Sequence, residues 1–179
     1  TTRAIAGHNW RIAITYNPMT RDEFEPVYAF LQERRGRLKP FEIVLPQYNT
    51  PRSTVTSTIA VDGAITAGAT NFMVDGVSSG SLRPGDMFNF TDSSNSNHKK
   101  VYQVTRVLTS TDYLTGNQPT DSSHRVYYVT PSIEKSVSND STLDYTPTFR
   151  VILTSDVMEY RLQTNNLYQF SLNLEEAQP

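Results

Sequence analysis

The chain has 179 residues, with 16 Lys+Arg against 18 Asp+Glu, three His, no Cys and a formal net charge of −2. With 37% hydrophobic and 19% charged residues it has the length and composition for one large domain or two small ones around a real core. That composition argues against disorder, a membrane-spanning helix, a disulfide framework, a thiolate metal site, a Cys nucleophile and a basic nucleic-acid binder.

Thr1 to Ile5 lack the apolar stretch of a secretory signal. Trp10 to Tyr16 alternates, which predicts a strand with Trp10, Ile12, Ile14 and Tyr16 on one face. Asn17-Pro18 ends it, because proline has no N–H for a ladder. Thr20 with Glu23 three residues on predicts a capping box, with Met19 and Phe24 placed for a hydrophobic staple. Phe24, Val27, Tyr28 and Leu31 follow at helical spacing. Gly36 is placed to end that helix, and Pro26 predicts a kink or a true start near Glu25. Phe41 to Leu45 reads as the next strand, closed by Pro46.

From about Asn49 the composition shifts to Ser, Thr, Asn, Asp and Gly, and the helical period disappears. Short β-like runs replace it: Val55 to Val61, Ala69 to Val74, Met87 to Thr91, Lys100 to Leu108 and Val126 to Thr130. Turn signals separate them at Asp62-Gly63, Asp75-Gly76, Pro84-Gly85 and Gly116-Asn117, a pattern that predicts a small barrel or sandwich. Thr91 to Asn97 reads as a mobile polar loop tip. After Tyr145-Thr146-Pro147 the alternation returns through Phe149, Val151 and Leu153, then a strand over Glu159 to Gln163. Tyr168 to Leu174 is the cleanest alternation, with Tyr168, Phe170, Leu172 and Leu174 facing a core. Neither end is large enough for a core alone, so residues 1–48 and 145–179 are expected to fold together around an inserted module at 49–144. The insert carries a net charge of −2 and the remainder zero.

The search for chemistry returns little. His8, His98 and His124 are dispersed in sequence and read as surface or loop residues, and no cysteine supplements them as metal ligands. Asp92 to Ser96 has a calcium-loop flavour but lacks the glycine at position six, and position twelve is Gln103. No nucleophile elbow, phosphate loop or dinucleotide fingerprint occurs. Asp22, Glu23 and Glu25 are too close in sequence to face each other across a scissile bond. Arg34, Arg35, Arg37 and Lys39 form a basic run that complements the helix end or meets a partner subunit or polyanion. Asn89-Phe90-Thr91 and Asn139-Asp140-Ser141 match the glycosylation pattern by chance. The aromatics read mostly as core packing. No catalytic, cofactor-binding or metal residue is assigned, and an enzyme is not expected.

The arrangement of motifs says more. Gly7-His8-Asn9-Trp10, Pro18-Met19-Thr20-Arg21, Ala29-Phe30-Leu31, Arg35-Gly36 and Phe41-Glu42-Ile43 stand in a series. Thr50-Pro51-Arg52, Leu82 to Phe88, Lys100 to Val104, Leu167 to Phe170 and Glu175-Glu176-Ala177 continue it. This series resembles the distal tail, or baseplate-hub, proteins of tailed bacteriophages over nearly the whole chain, departing from them in the long polar loop between Phe90 and Lys100. The resemblance implies a mainly β fold with one helix, a tail-tube-like β-sandwich with a flanking helix plus the inserted module. It also implies a non-enzymatic virion protein of the phage tail, assembled in the host cytoplasm as a ring, hexameric in that family. The ring's implied partners are copies of itself, the tail tube protein and baseplate or tail-tip hub proteins. The resemblance also implies transient, non-specific passage of DNA through the lumen and no membrane insertion. Long strands such as the C-terminal one offer edges for pairing between subunits. Two other readings compete: a receptor- or carbohydrate-binding β module of the tail tip, and a cell-wall hydrolase, which no acid pair or metal set supports.

Overall fold

The computed structural model describes residues 8–112 and 118–177; the turn signal at Gly116-Asn117 lies outside them. In chain order the elements are β1 (Arg11–Thr15), α1 (Arg21–Glu33), β2 (Phe41–Val44), β3 (Ala60–Val61) and β4 (Asn71–Asp75). A single 3-10 turn (Val77–Ser79) precedes β5 (Met87–Thr91), β6 (Tyr102–Leu108), β7 (Arg125–Thr130) and β8 (Thr142–Asp144). The described chain closes with β9 (Thr148–Leu153), β10 (Tyr160–Leu162) and β11 (Tyr168–Glu176). The fold is mainly β with one helix, and it divides into two compact units. One holds His8 and Val44–Phe149, the other Asn9–Ile43 with residues 150–177.

In the unit built from the chain ends, the sheet runs β1-β11-β9-β2, with β10 also paired to β11. β1 and β11 are antiparallel, Ile12 opposite Leu174 and Ile14 opposite Leu172. Phe170, Leu172 and Leu174 are buried on the alternating face while Ser171 and Asn173 are exposed. Glu176 ends that same face and is buried, its carboxylate accepting the Trp10 N–H at 3.2 Å.

The helix begins at Arg21 rather than near Glu25, so Pro26 lies inside it. The capping box explains why. The Glu23 carboxylate accepts the Thr20 N–H at 2.9 Å and the Thr20 hydroxyl at 3.0 Å, which secures the first turn. Pro26 withholds the one N–H that would bond the Asp22 carbonyl four residues back. Phe24 and Leu31 are fully buried. Phe24 stacks on Tyr168 (centroids 4.6 Å, 11° between planes) and Phe170 stacks on Tyr16 at 4.4 Å, so one aromatic ladder joins helix to sheet.

Past the helix, Arg35 and Gly36 both take left-handed backbone, φ 53° and 63°. Gly36 has a second reason to be glycine, because a Cβ there would stand 2.0 Å from Asp156 Oδ1 and 2.8 Å from Asp156 Cα. The same Oδ1 accepts the Arg37 N–H at 3.0 Å. Gly36→Ala is expected to cost about 2 kcal/mol from left-handed strain plus overpacking. Chemical denaturation measures it, and a loss under about 0.5 kcal/mol would contradict the reading.

The other unit is a closed barrel, β3-β4-β7-β6-β5-β8, with β8 returning to β3, so none of its six strands keeps a free edge. Facing pairs bring the large side chains inside: Phe72 lies opposite Tyr127, Phe88 opposite Tyr102 and Phe90 opposite Leu143. Between Val104 and Arg106 the register of β6 shifts, a bulge at Thr105 whose hydroxyl donates to the Tyr128 carbonyl at 3.1 Å. Asn89 points away from Phe88 and Phe90 yet is buried. Its amide donates to the Lys100 carbonyl at 3.0 Å and its Oδ1 accepts the Thr148 N–H at 2.7 Å, so the buried polar group is satisfied. The chance glycosylation match there sits in the interior.

Two expectations change here, and a third gains a detail. Only Ala60–Val61 of the run from Val55 pairs as a strand, because the segment facing it, Val77–Ser79, coils as a 3-10 turn and offers one backbone bond, Thr56 N–H to the Ser79 carbonyl at 3.0 Å. β8 has no counterpart among the predicted runs, since its one large apolar residue, Leu143, shows no alternation. The segment from Thr91 to Asn97 is the largely exposed polar turn its composition predicts, and it is anchored at one point. Asp92 within it is buried and accepts the backbone N–H groups of Ser94 (2.9 Å) and Ser138 (3.1 Å).

Candidate interaction surface

Residues 154–167 form the most exposed stretch of the terminal unit. Thr154 closes the end of β9 by donating its N–H to the Asn173 carbonyl at 3.0 Å. The chain then passes Asp156, fixed over Gly36, and turns into β10. β10 pairs with β11 through Tyr160 opposite Phe170, Arg161 opposite Gln169 and Leu162 opposite Tyr168. Its hairpin closes with the Gln163 N–H on the Leu167 carbonyl at 2.9 Å, and Asn166 takes the left-handed position at φ 57°, a conformation asparagine tolerates.

The chemistry of this hairpin is apolar and outward. Val157 is 69% exposed, Leu162 65% and Tyr160 44%. The Tyr160 ring keeps one side on Phe24, at 5.2 Å, and on Tyr168, at 5.8 Å. Among the described residues β10 pairs with β11 alone, so its other edge carries unpaired backbone donors and acceptors. An open groove of about 550 Å³ runs beside it, lined by Thr15, Met158, Glu159, Arg161, Gln169 and Ser171 among others. Apolar side chains beside an open backbone edge suit pairing with another strand.

The C-terminal strand itself cannot offer such an edge. β11 lies inside the sheet, flanked by β1 and by β9 and β10. Alternation reveals which face of a strand is buried and says nothing about its flanks.

The residues weighed for chemistry do not converge. Of the surface or loop positions expected for the histidines, His98 takes a loop one, but it is buried, with Nε2 2.7 Å from the Tyr102 hydroxyl. Burial, reinforced by the Lys135 cation and opposed by the Asp92 carboxylate, holds its pKa down at about 4. His8 is exposed and His124 half-buried; the His124 Nδ1 lies 2.7 Å from Asp121 and its Nε2 3.6 Å from Asp62, and the Asp121 hydrogen bond raises its pKa. The His8 carbonyl accepts the Lys100 ammonium. Burial pushes the Asp92 carboxyl up, but the N–H groups of Ser138 and Ser94 outweigh it and hold the carboxyl below its ordinary value. Those oxygens serve the fold. Among the described residues no group of three or more His, Asp or Glu is arranged to hold a metal ion.

Glu23 is engaged by the cap and Glu25 by Arg21 at 2.6 Å. In the basic run, Arg34 pairs with Glu33 at 3.1 Å and lies over the Phe30 ring at 4.5 Å. Arg35, Arg37 and Lys39 are exposed just past the helix. Sequence reading named none of Val157, Tyr160 and Leu162 as surface residues, since a short strand flanked by polar residues reads the same whichever side is covered. No protein-family profile matches the chain, and no curated protein matches it.

Proposed function

We propose that this chain is a non-enzymatic structural protein of a phage tail, a distal-tail ring or adaptor subunit that assembles with copies of itself. In this reading the ring, hexameric as in the family the motifs resemble, sits in the virion between the tail tube and the baseplate or tail-tip hub, with DNA passing through its lumen. The observation that supports it best is the open β10 edge carrying Val157, Tyr160 and Leu162, an arrangement a lone subunit gains nothing from exposing. Ionisable groups are spent on caps, ion pairs and internal hydrogen bonds, which suits a building block better than a catalyst.

Light scattering on the purified chain, followed by negative-stain imaging, tests this. Rings or discrete oligomers are expected at about 100 μM, and Leu162→Arg is expected to raise the dissociation constant at least about tenfold without lowering the melting temperature. A strict monomer at that concentration, or oligomers indifferent to Leu162→Arg, would overturn the proposal or its assignment to β10. A tail-tip carbohydrate module is the competing reading, and specific binding on a glycan array would favour it. Phe72, Phe88, Phe90, Tyr102 and Tyr127 are buried in the barrel and Phe24 and Phe170 in the terminal unit, where no sugar could stack on them.

A further inference from the structure

Arg52, Arg83 and Arg125 come from three separate parts of the barrel unit and line one open groove of about 590 Å³. The convergence is built from within. Asp86 is 4% exposed and spends both oxygens on backbone, accepting the Arg52 N–H at 2.9 Å and the Arg83 N–H at 2.7 Å. One buried carboxylate thereby ties together the two segments that bring Arg52 and Arg83 to the groove. Arg83-Pro84-Gly85-Asp86 is a tight turn, closed by the Asp86 N–H on the Arg83 carbonyl at 2.9 Å with Gly85 at φ 100°. Arg52 Nη1 donates to the Pro84 carbonyl at 2.9 Å, and Arg125 Nη1 to the carbonyls of Ser122 (2.8 Å) and His124 (2.6 Å). Those bonds orient the two groups without neutralising them. None of the three arginines makes an ion pair among the described residues, and no acidic side chain lines the groove. Asp112 stands at its margin, held by the Thr109 N–H at 2.6 Å and hydroxyl at 2.8 Å. The insert as a whole has a net charge of −2, so three cations in one groove run against its general sign.

From this we infer an anion-binding site for phosphate esters carried on a hydroxylated chain, a sugar or polyol phosphate. Guanidinium forks match phosphate oxygens two at a time. Thr54 adds a hydroxyl, while Ser53, Ser81 and Thr109, whose hydroxyls donate to the Ser81 carbonyl, the Leu82 carbonyl and Asp112, present oxygens that accept from a hydroxylated chain. Among the described residues no aromatic side chain lines the groove as a stacking platform of the kind single-stranded nucleic acid uses. The site is independent of ring assembly.

The test titrates the full, isotope-labelled chain with inorganic phosphate, with a poly(glycerol phosphate) oligomer and with oligo-dT, following backbone amide shifts. Expected are shifts at Thr54, Gly80, Ser81 and Val107. Inorganic phosphate should bind weakly, and the polyol phosphate at least about tenfold more tightly. Arg83→Gln and Arg125→Gln should each weaken that binding at least about tenfold. Arg83 is exposed and its side chain makes no internal bond among the described residues, so its variant keeps the fold. Failure of both phosphate probes to shift those amides, or affinities unchanged in both variants, overturns the site. Tighter binding of oligo-dT at the same amides overturns the choice of ligand.

Discussion

Phe24→Ala is expected to destabilise the terminal unit by about 3–5 kcal/mol, the range for truncating a buried phenylalanine. Phe24 and Leu31 are the two fully buried residues of α1, so the substitution removes half of the helix's deepest anchorage. It also opens the aromatic ladder at its centre, because Phe24 meets Tyr28 at 5.3 Å, Tyr160 at 5.2 Å, Tyr168 at 4.6 Å and Phe170 at 5.2 Å. No neighbour can fill a gap bounded by four rigid rings without leaving its own contacts. Trp10 is the chain's single tryptophan and belongs to this unit, so urea denaturation followed by its fluorescence isolates the effect. A midpoint shift equivalent to less than about 1 kcal/mol would show that the ladder does not hold the helix.

The second large effect is on acid stability, through His98. In the unfolded chain its imidazole takes up a proton near pH 6.5, and in the folded barrel only at about 4. Between those values the unfolded state binds more protons, so stability falls as the pH falls. The full contribution is present above pH 6.5, declines across the window and is gone below about 4. The total is roughly 3 kcal/mol, from about 1.4 kcal/mol per unit. The physical cause is the cost of charging an imidazole that is 2% exposed, packed against Phe90 and Tyr102, with Lys135 adding like charge and Asp92 offsetting part of it. Equilibrium unfolding of the native chain and of His98→Phe from pH 7 to 4 checks this. The variant starts less stable, having lost the Tyr102 hydroxyl bond, but should show a shallower acid slope. Parallel slopes would remove His98 as the cause.

Much of each unit's interior was readable before any coordinates. Phe170, Leu172 and Leu174 announce their buried face by alternation, as Ile12 and Ile14 do their half-buried one, and Thr20 with Glu23 announces the helix start three residues apart. Pro26 misled because the local penalty of a helical proline is easy to see, whereas the support from Phe24 packed on β11 is not. The burial of His98 escapes a local reading for the same reason. Flanked by Asn97 and Lys99 it has the neighbours of a loop residue, and only the closure of the barrel carries it inside.

The candidate surfaces divide along the same line. Amino-acid order alone determined the strand faces, the helix cap, the tight turns and the two compositional regions, because each depends on residues within about one turn or one alternation of each other. Tertiary structure alone decided that six short strands close into a ring of hydrogen bonds and that β11 is enclosed while β10 keeps an open edge. It also brought Arg52, Arg83 and Arg125 to one groove. Pairing partners and barrel closure are set by contacts between residues far apart in the chain, and no local pattern encodes which distant edge a strand will meet.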